Sequence, residues 1–152
     1  MKKLRLYADA SVFGGCFDPE FAVESRRLFD EVSVARFVLI VSDALVAELQ
    51  SAPERVRDVL EKLDREHIET VSLTPEASEL CDAYMEAGIV GPASREDAEH
   101  IAIATVAGAD LIVSWNFRHI VHFEKIAGYN AVNELHGYRS VRIFSPKEVV
   151  TP

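Results

Sequence analysis

Strand-like and helix-like segments alternate along this sequence, and this alternation limits the possible folds more than any other feature. Residues 4–9 are mostly apolar and predict a first strand, and the unbroken apolar run at 37–41 is typical of a strand buried on both faces. Apolar segments at 68–73, 111–114 and 141–144 predict further strands. Strands that alternate with helices are joined by right-handed crossovers, which make them parallel. The prediction is therefore an α/β fold: a three-layer α/β/α sandwich around a mainly parallel sheet of about five strands.

The segments between these strands have helical apolar spacing or helix-start signals. The Thr-Pro pair at 74–75 is typical of a helix start, and Ser51 and Glu54 have the spacing of a capping box. Because glycine favours helix ends, Gly128 is expected to end a helix and the polar stretch 129–140 to be irregular. The predicted helices cover 19–35, 53–65, 75–87, 95–107 and 117–127, and one more helix is predicted to begin after Ser42.

The composition is typical of a soluble globular protein, with 49% hydrophobic and 27% charged residues. A length of 152 residues favours a single domain over residues 1–152. The first apolar stretch is too short for a signal peptide, and the longest one, around 101–115, is too interrupted to span a bilayer. Cys16 and Cys81 form neither a disulfide framework nor a metal motif and are expected to be reduced. These features predict a cytoplasmic protein without membrane contact.

The formal net charge of −9 bears on the possible partners. Bulk binding of nucleic acid depends on Lys and Arg that neutralise phosphates, so this charge argues against a non-specific nucleic-acid coat protein. It does not argue against a nuclease, because the carboxylates of a catalytic site count toward the negative total. The charge also suits a basic protein partner, although acidic balance is common in ordinary proteins and reflects solubility first.

Three acidic residues and one amide lie where the predicted sheet would bring side chains together. Asp9 ends the first strand, and Glu48 lies one helical turn past the second. Asp97 lies in the first turn of a helix, and Asn116 follows the fourth strand. Carboxylates in close approach raise one another's pKa and destabilise a fold unless a cation lies between them. The simplest interpretation is a site for a hard divalent metal ion at the carboxyl edge of the sheet.

Four segments, in this order and spacing, resemble the PIN-domain family of metal-dependent ribonucleases. They are "YADASVFGG", "VSDALVAEL", "EDAEHIAIATVAGADLIVSWN" and "FRHI", and together they extend from Leu4 to about Ile120. The resemblance is strongest to the VapC-type toxins of toxin–antitoxin pairs. It implies a parallel sheet whose acidic residues hold Mg²⁺ or Mn²⁺ for hydrolysis of RNA, an antitoxin protein as partner, and a homodimer.

The resemblance also implies roles for individual residues. Asp9, Glu48 and Asp97 match the best-kept acidic positions of the family, so they are the expected metal ligands and, together with Asn116, the expected catalytic residues. Ser11 matches the hydroxyl position after the first Asp and is a candidate substrate contact. Asn116 stands where many members have a fourth Asp, and this departure leaves one or two metal ions open.

Arg118 and His119 follow Asn116 and are candidate contacts for substrate phosphates. Trp115 is a candidate for stacking on an RNA base, but a packed position beside the sheet edge is favoured. His119 and His122 have zinc-ligand spacing, yet no Cys or further His joins them. They are therefore interpreted as partly exposed helix residues.

Each acidic residue also has a purely structural interpretation. Asp97 lies three residues after Ser94 and can belong to a capping box, and Asp9 can cap the turn that follows it. Glu48 can be a solvated helix charge.

Other protein classes offer alternatives to a PIN-type nuclease. A haloacid-dehalogenase-like phosphatase needs an Asp where Ser11 stands, and a phosphoacceptor receiver domain needs a Lys that Lys147 is badly placed to supply. The more serious alternative is a PIN-like binding module that has lost catalytic rate because Asn116 replaces the fourth acid.

Overall fold

A computed structural model describes residues 2–152 and contains one five-stranded sheet in which every pairing is parallel. The spatial order of the strands is β3-β2-β1-β4-β5. This confirms the predicted α/β class and the mainly parallel, five-stranded sheet. The strands are β1 (Leu4–Ala8), β2 (Phe37–Ser42), β3 (Ile68–Val71), β4 (Leu111–Val113) and β5 (Arg142–Phe144).

Helices fill the crossovers between consecutive strands, and one more helix follows the last strand. They are α1 (Ala10–Gly15), α2 (Ala22–Ser33), α3 (Asp43–Gln50), α4 (Glu54–Glu61), α5 (Pro75–Glu86), α6 (Arg95–Val106), α7 (Phe123–Leu135) and α8 (Pro146–Val149). Short 3₁₀ segments cover Arg65–His67 and Pro92–Ser94. Within residues 2–152, none of the helices has the length and apolar character needed to cross a membrane.

Two apolar clusters lie on opposite faces of the sheet, because neighbouring residues of a strand point to opposite sides. In β1, Leu6 belongs to the cluster that includes Phe13 of α1 and Leu28 of α2. The next residue, Tyr7, belongs to the other cluster, which includes Ile101 of α6 and residues of α5 and α7. The sheet is therefore covered by helices on both faces, and the predicted three-layer arrangement is confirmed.

The winding of the sheet reverses at β1, and this reversal places the candidate site. The chain moves from β1 outward to β2 and β3, then returns to form β4 on the other side of β1. In parallel sheets of this kind, ligands bind beyond the carboxyl ends of the strands that flank the reversal. Asp9 directly follows β1, and Ser114 directly follows β4. The sheet topology thus brings two segments far apart in sequence to one edge.

The prediction of a helix at 117–127 is confirmed only for residues 123–127. A turn followed by a bend occupies residues 117–121, α7 begins at Phe123, and it continues through residues 129–135, which were predicted to be irregular. Gly128 lies inside α7 and does not end it. A Cβ atom at Gly128 would lie 2.6 Å from Ile89 Cδ1, so this glycine allows the helix to pack closely against the loop after α5.

The predicted start of α4 is also wrong in its detail. Pro53 occupies the N-cap position, and Ser51 makes no capping hydrogen bond, so the expected Ser51 to Glu54 capping box is absent from the described residues. The short helices α1 and α8 were not predicted. By contrast, Ser42 caps α3 by accepting a hydrogen bond from Leu45 N, as expected.

Candidate metal centre

Asp9 is the most enclosed of the candidate acidic residues. It is 6% exposed, and its carboxylate accepts hydrogen bonds from Ser11 Oγ at 2.5 Å and from Ser114 Oγ at 2.8 Å. Burial raises the pKa of Asp9, and the hydrogen bonds from Ser11 and Ser114 act in the opposite direction. Although Asp9 occupies the N-cap position of α1, its side chain makes no capping hydrogen bond, so the structural interpretation of Asp9 as a cap is not realised.

Ser11 and Ser114 hold the end of β1 against the end of β4. The Ser11 hydroxyl donates to Asp9 and accepts from Trp115 N at 2.9 Å. Ser114 Oγ donates to Asp9 and accepts from Asn116 N at 2.9 Å. Ser11 is therefore engaged in orienting Asp9, whereas the sequence suggested substrate contact. Ser114 was not singled out from sequence, where its only signal was its place at the end of a predicted strand.

Glu48 projects from α3 and makes one side-chain hydrogen bond, to His100 of α6. The distance from His100 Nε2 to Glu48 Oε1 is 2.6 Å. His100 is 2% exposed, and its other ring nitrogen, Nδ1, lies 2.6 Å from Tyr7 Oη. Burial alone would lower the pKa of His100, but the hydrogen bond and charge of Glu48 and the charges of Asp9 and Asp97 raise it overall.

Asp97 lies in the first turn of α6 and is half-buried. Ser94 makes no capping hydrogen bond, so the capping-box interpretation of Asp97 is wrong. Burial raises the pKa of Asp97, while the charge of His119 and the nearby Asn116 side chain lower it. Asp97 therefore faces the segment that follows β4, as the metal-site interpretation requires.

The Asn116 side chain organises the turn that follows β4. Its Oδ1 accepts hydrogen bonds from Arg118 N at 3.2 Å and His119 N at 3.0 Å. The carbonyl oxygen is thus used by the backbone, and the amide nitrogen is the group left to act on Asp97. The sequence predicted Asn116 as a site residue, and the structure places it beside Asp97.

The three acids form one electrostatic cluster. The charge of Glu48 raises the pKa of both Asp9 and Asp97, and the charge of His100 lowers both. Within residues 2–152, no Lys or Arg forms an ion pair with any of the three. The cluster thus has a concentration of negative charge that only His100 and His119 offset among the described residues, and a cation would relieve it.

The chemistry of these donors fits a hard divalent cation, but their spacing does not enclose one. In the described part of the chain, the only three Asp, Glu, His or Cys side chains whose ligand atoms all lie within 4.8 Å of one another are Asp64, Glu66 and His67. The carboxylates of the candidate centre are more widely spaced. This suits Mg²⁺, which usually keeps several water ligands and contacts only one or two carboxylates directly.

The Asp64, Glu66 and His67 group lies elsewhere in the fold. It precedes β3, at the amino edge of the parallel sheet, whereas the candidate centre lies at the carboxyl edge. Asp64 and Glu66 are exposed, and Glu66 pairs with His67 at 3.5 Å. Exposed acidic groups of this kind are common without an ion, so the proximity of these groups does not by itself indicate a metal site.

The rim of the centre carries exposed aromatic and basic side chains. Trp115 has the packed position that the sequence favoured: it is 8% exposed and stacks on Phe21 with ring centroids 4.2 Å apart. Phe117 is 50% exposed and contacts the Trp115 ring edge-on at 6.1 Å. Arg118 is exposed, and its guanidinium forms no ion pair within residues 2–152.

His119 and His122 are half-buried, as expected, but they do not lie within a helix. His119 belongs to the turn before α7, and His122 occupies the N-cap position of that helix. The Nδ1 atoms of both are buried without a hydrogen-bond partner. Together with the charge of His119 on Asp97, this places His119 beside the candidate centre.

Comparison with known proteins finds solved structures with a similar fold. No protein-family model matches the sequence, and a search of curated proteins gave no significant match. A chain of VapBC2 from Rickettsia felis, solved bound to a DNA fragment from its promoter, is 12% identical with a TM-score of 0.57. The alignment covers 93% of this chain and 98% of that chain.

Two further structures are similar over almost their whole length. DNA-bound VapBC from Salmonella typhimurium is 18% identical with a TM-score of 0.55, covering 94% of this chain and 98% of that chain. FitAcB from Neisseria gonorrhoeae is 12% identical with a TM-score of 0.59, covering 95% and 99%. The chain has the fold of these toxin–antitoxin proteins. At such low identity the likeness establishes the fold, and it confirms the PIN-like architecture that the sequence motifs predicted.

Proposed function

We propose that this protein is a divalent-metal-dependent endoribonuclease that hydrolyses RNA phosphodiester bonds, and that it is the toxin of a type II toxin–antitoxin pair. The observation that carries the proposal is the cluster of Asp9, Glu48 and Asp97 at the sheet reversal, with no Lys or Arg paired to any of them within residues 2–152. An uncompensated acidic cluster at this edge supports a cation site with a catalytic role.

The residues of the site have different roles in the proposed reaction. Mg²⁺ or Mn²⁺, when bound, supplies a water of lowered pKa and neutralises charge on the scissile phosphate. Asp9 and Asp97 hold the cation, and Ser11 and Ser114 keep the Asp9 carboxylate aimed by donating to both of its oxygens. Glu48 orients the attacking water and accepts its proton.

Substrate contacts are proposed for the rim. Arg118 is available to pair with a phosphate, and the half-exposed ring of Phe117 offers a surface on which an unpaired base can stack. An open groove of about 520 Å³ leads to Glu48 between α3 and α6. Its acidic wall includes Glu96 and Glu99, so the phosphate backbone is expected to approach from the Arg118 side.

The proposal is tested by metal titration and RNA cleavage on the same preparations. Wild type is expected to bind Mn²⁺ in calorimetry and to cut RNA to products with 5′-phosphate and 3′-hydroxyl ends, with activity lost in EDTA. Asp9→Asn and Asp97→Asn are expected to weaken Mn²⁺ binding strongly and to lower cleavage by orders of magnitude. Asp64→Asn, at the opposite edge of the sheet, is the matched control and should change neither.

The alternative function is that of a PIN-like binding module with little or no catalytic rate. Asn116 favours it, because a neutral amide adds no charge for a second ion and its Oδ1 already accepts two backbone hydrogen bonds. Metal binding without metal-dependent cleavage would establish the binding module. Cleavage that survives EDTA, or products with cyclic phosphate ends, would contradict the proposed chemistry.

The proposed partners are a small antitoxin and a second copy of the chain. The similar structures are toxin–antitoxin complexes, which supports an antitoxin partner, and the net charge of −9 suits a basic one. A short antitoxin-like reading frame is expected beside the gene, and co-expression with it should yield a complex with suppressed nuclease activity. Light scattering on the protein alone tests the homodimer.

A further inference from the structure

A buried row of hydrogen bonds leads from the start of α3 to the candidate centre. Leu45 N donates to Ser42 Oγ at 3.0 Å, and Ser42 Oγ lies 2.7 Å from Tyr7 Oη. Tyr7 Oη lies 2.6 Å from His100 Nδ1, and His100 Nε2 lies 2.6 Å from Glu48 Oε1. Ser42, Tyr7 and His100 are at most 2% exposed. The row ends at Glu48, whose only side-chain hydrogen bond among the described residues is the one to His100.

The chemistry of the groups gives the last bond a fixed direction. An ionised carboxylate only accepts hydrogen bonds, so His100 Nε2 carries the hydrogen donated to Glu48. Tyr7 can donate to Nδ1 of a neutral ring, or accept from a protonated Nδ1 and donate to Ser42. The bond to Glu48 is therefore kept in either charge state of His100.

The row also connects the elements that carry the candidate acids. Tyr7 lies two residues before Asp9 at the end of β1, and His100 lies three residues after Asp97 on α6. Glu48 belongs to α3, which packs on the other side of the groove from α6. The hydrogen bond from His100 thus fixes a flexible side chain of one helix relative to a carboxylate of another.

Packing alone does not explain this arrangement. A buried imidazole and a buried phenol both need polar partners. Ser42 is a partner for the Tyr7 hydroxyl, and Tyr7 is a partner for His100 Nδ1. Only His100 Nε2 needs Glu48 as its partner. That remaining nitrogen is directed at the open side of the core, toward a carboxylate that is 29% exposed. Holding the long, partly solvated Glu48 side chain in one conformation costs entropy. The hydrogen bond from His100 offsets that cost, which is useful only if the orientation of the Glu48 carboxylate matters for function.

We infer that His100 is a positioning residue that orients Glu48 in the metal centre, and that Tyr7 and Ser42 fix the His100 ring. The inference rests on the proposed function of this site. His100 contacts no substrate; it acts on catalysis and metal affinity only through Glu48. Tyr7 acts one step further away.

A double-mutant cycle tests whether His100 acts through Glu48. His100→Ala is expected to lower the turnover number at least tenfold and weaken Mn²⁺ binding in calorimetry, with a smaller change in the Michaelis constant for RNA. In a Glu48→Gln background, the same His100→Ala change should have little further effect on either quantity. His136→Ala, an exposed histidine at the end of α7, is the matched control and should leave both unchanged.

Conservative variants keep the test decisive if His100→Ala fails to fold. His100→Gln retains a donor near the position of Nε2 and should recover part of the lost Mn²⁺ affinity and turnover. Tyr7→Phe keeps the core volume, removes the donor to Nδ1, and should give a smaller loss than His100→Ala. Equal losses in the wild-type and Glu48→Gln backgrounds would overturn the inference.

The outcomes separate this inference from the proposed function. Wild type that binds no Mn²⁺ and cleaves no RNA would overturn the proposed function, and the positioning role with it. In the other case, the wild type binds Mn²⁺ and cleaves RNA, and His100→Gln and Tyr7→Phe fold and keep the wild-type Mn²⁺ affinity and turnover. That result would overturn only the positioning role.

Discussion

The Asn116 side chain makes one kind of interaction through its oxygen and another through its nitrogen, and a substitution can separate the two. Its Oδ1 accepts from two backbone amides of the following turn, and its amide nitrogen acts on Asp97. An Asp at this position can keep the accepting oxygen while its second oxygen replaces the amide beside Asp97. The turn would survive, and the centre would gain a fourth negative charge.

Asn116→Asp is therefore expected to raise Mn²⁺ affinity and to lower the stability of the metal-free protein. Calorimetric titration measures the first effect, and melting in EDTA measures the second. Salt should reduce the loss of stability, because the centre is open to water on its groove side. Gln50→Glu adds the same charge on the exposed end of α3 and should leave Mn²⁺ affinity unchanged. No change in either quantity would mean that Asn116 does not face Asp97.

The sequence identified the charged members of the centre but not the residues that hold them. Asp9, Glu48 and Asp97 could be named because acidic residues beside predicted strand ends are unusual as a set. Ser114 and His100 gave no comparable signal. A serine at a strand end and a histidine one turn into a helix are ordinary, and their roles depend on contacts between segments far apart in the chain.

At the scale of elements, α1 and its contacts show how a glycine position depends on tertiary packing. A Cβ atom at Gly15 would lie 2.5 Å from Ser25 Oγ and 2.9 Å from Trp115 Nε1. Those two atoms are joined by a buried hydrogen bond of 2.8 Å. A side chain at position 15 would force them apart, whereas a Cβ atom at Gly14 would meet nothing within 4 Å.

Gly15→Ala is expected to lower the free energy of unfolding by about 1–3 kcal/mol, through overpacking and a buried pair left unsatisfied. Gly14→Ala is the matched control within the same helix and should be neutral or stabilise the protein by up to about 1 kcal/mol. Urea denaturation measures both. Trp115 is the only tryptophan, so its fluorescence should shift in Gly15→Ala alone. Equal stability of the two variants would contradict the close approach.

The region 117–135 shows why element boundaries could not be read from sequence there. Gly128 is a reasonable helix end by local rules, but it lies inside α7 because the helix approaches Ile89 closely. The turn after β4 is set by Asn116, whose Oδ1 accepts from the backbone amides two and three residues later, a local interaction that Asn commonly makes. The Gly128 error comes from assigning a local role to a residue selected by packing, and the error at 117–121 comes from overlooking the local turn signal at Asn116.

At the scale of the whole molecule, the sheet was the most predictable part. Five apolar segments separated by helical ones leave few topologies, and a parallel sheet with helices on both faces satisfies them all. The reversal at β1 then places the site, since Asp9 and Ser114 must meet at the same edge. The ring orientation of His100 and the distances among the acids depend on side-chain packing, which the alternation pattern does not encode.

The stability of the metal-free protein is expected to fall as pH rises. Burial raises the folded-state pKa of Asp9 and Asp97 above the ordinary value of 3.8, and the acidic neighbours of His100 raise its pKa above 6.5. A group with a raised folded-state pKa contributes stability that is fully present below its unfolded pKa and is lost as pH rises through the folded value. All three shifts therefore act in the same direction.

Metal binding should reverse this dependence, because protons and the cation compete for the same carboxylates. Denaturant titrations from about pH 4, near the unfolded pKa of an Asp, to about pH 8 are expected to show falling stability in EDTA and rising stability in saturating Mn²⁺. Asp9→Asn should flatten the EDTA profile by removing one of the raised groups, whereas Asp64→Asn should leave it unchanged. A wild-type profile in EDTA that matches that of Asp9→Asn would show that Asp9 ionises as an ordinary carboxylate and bears no strain for a cation to relieve.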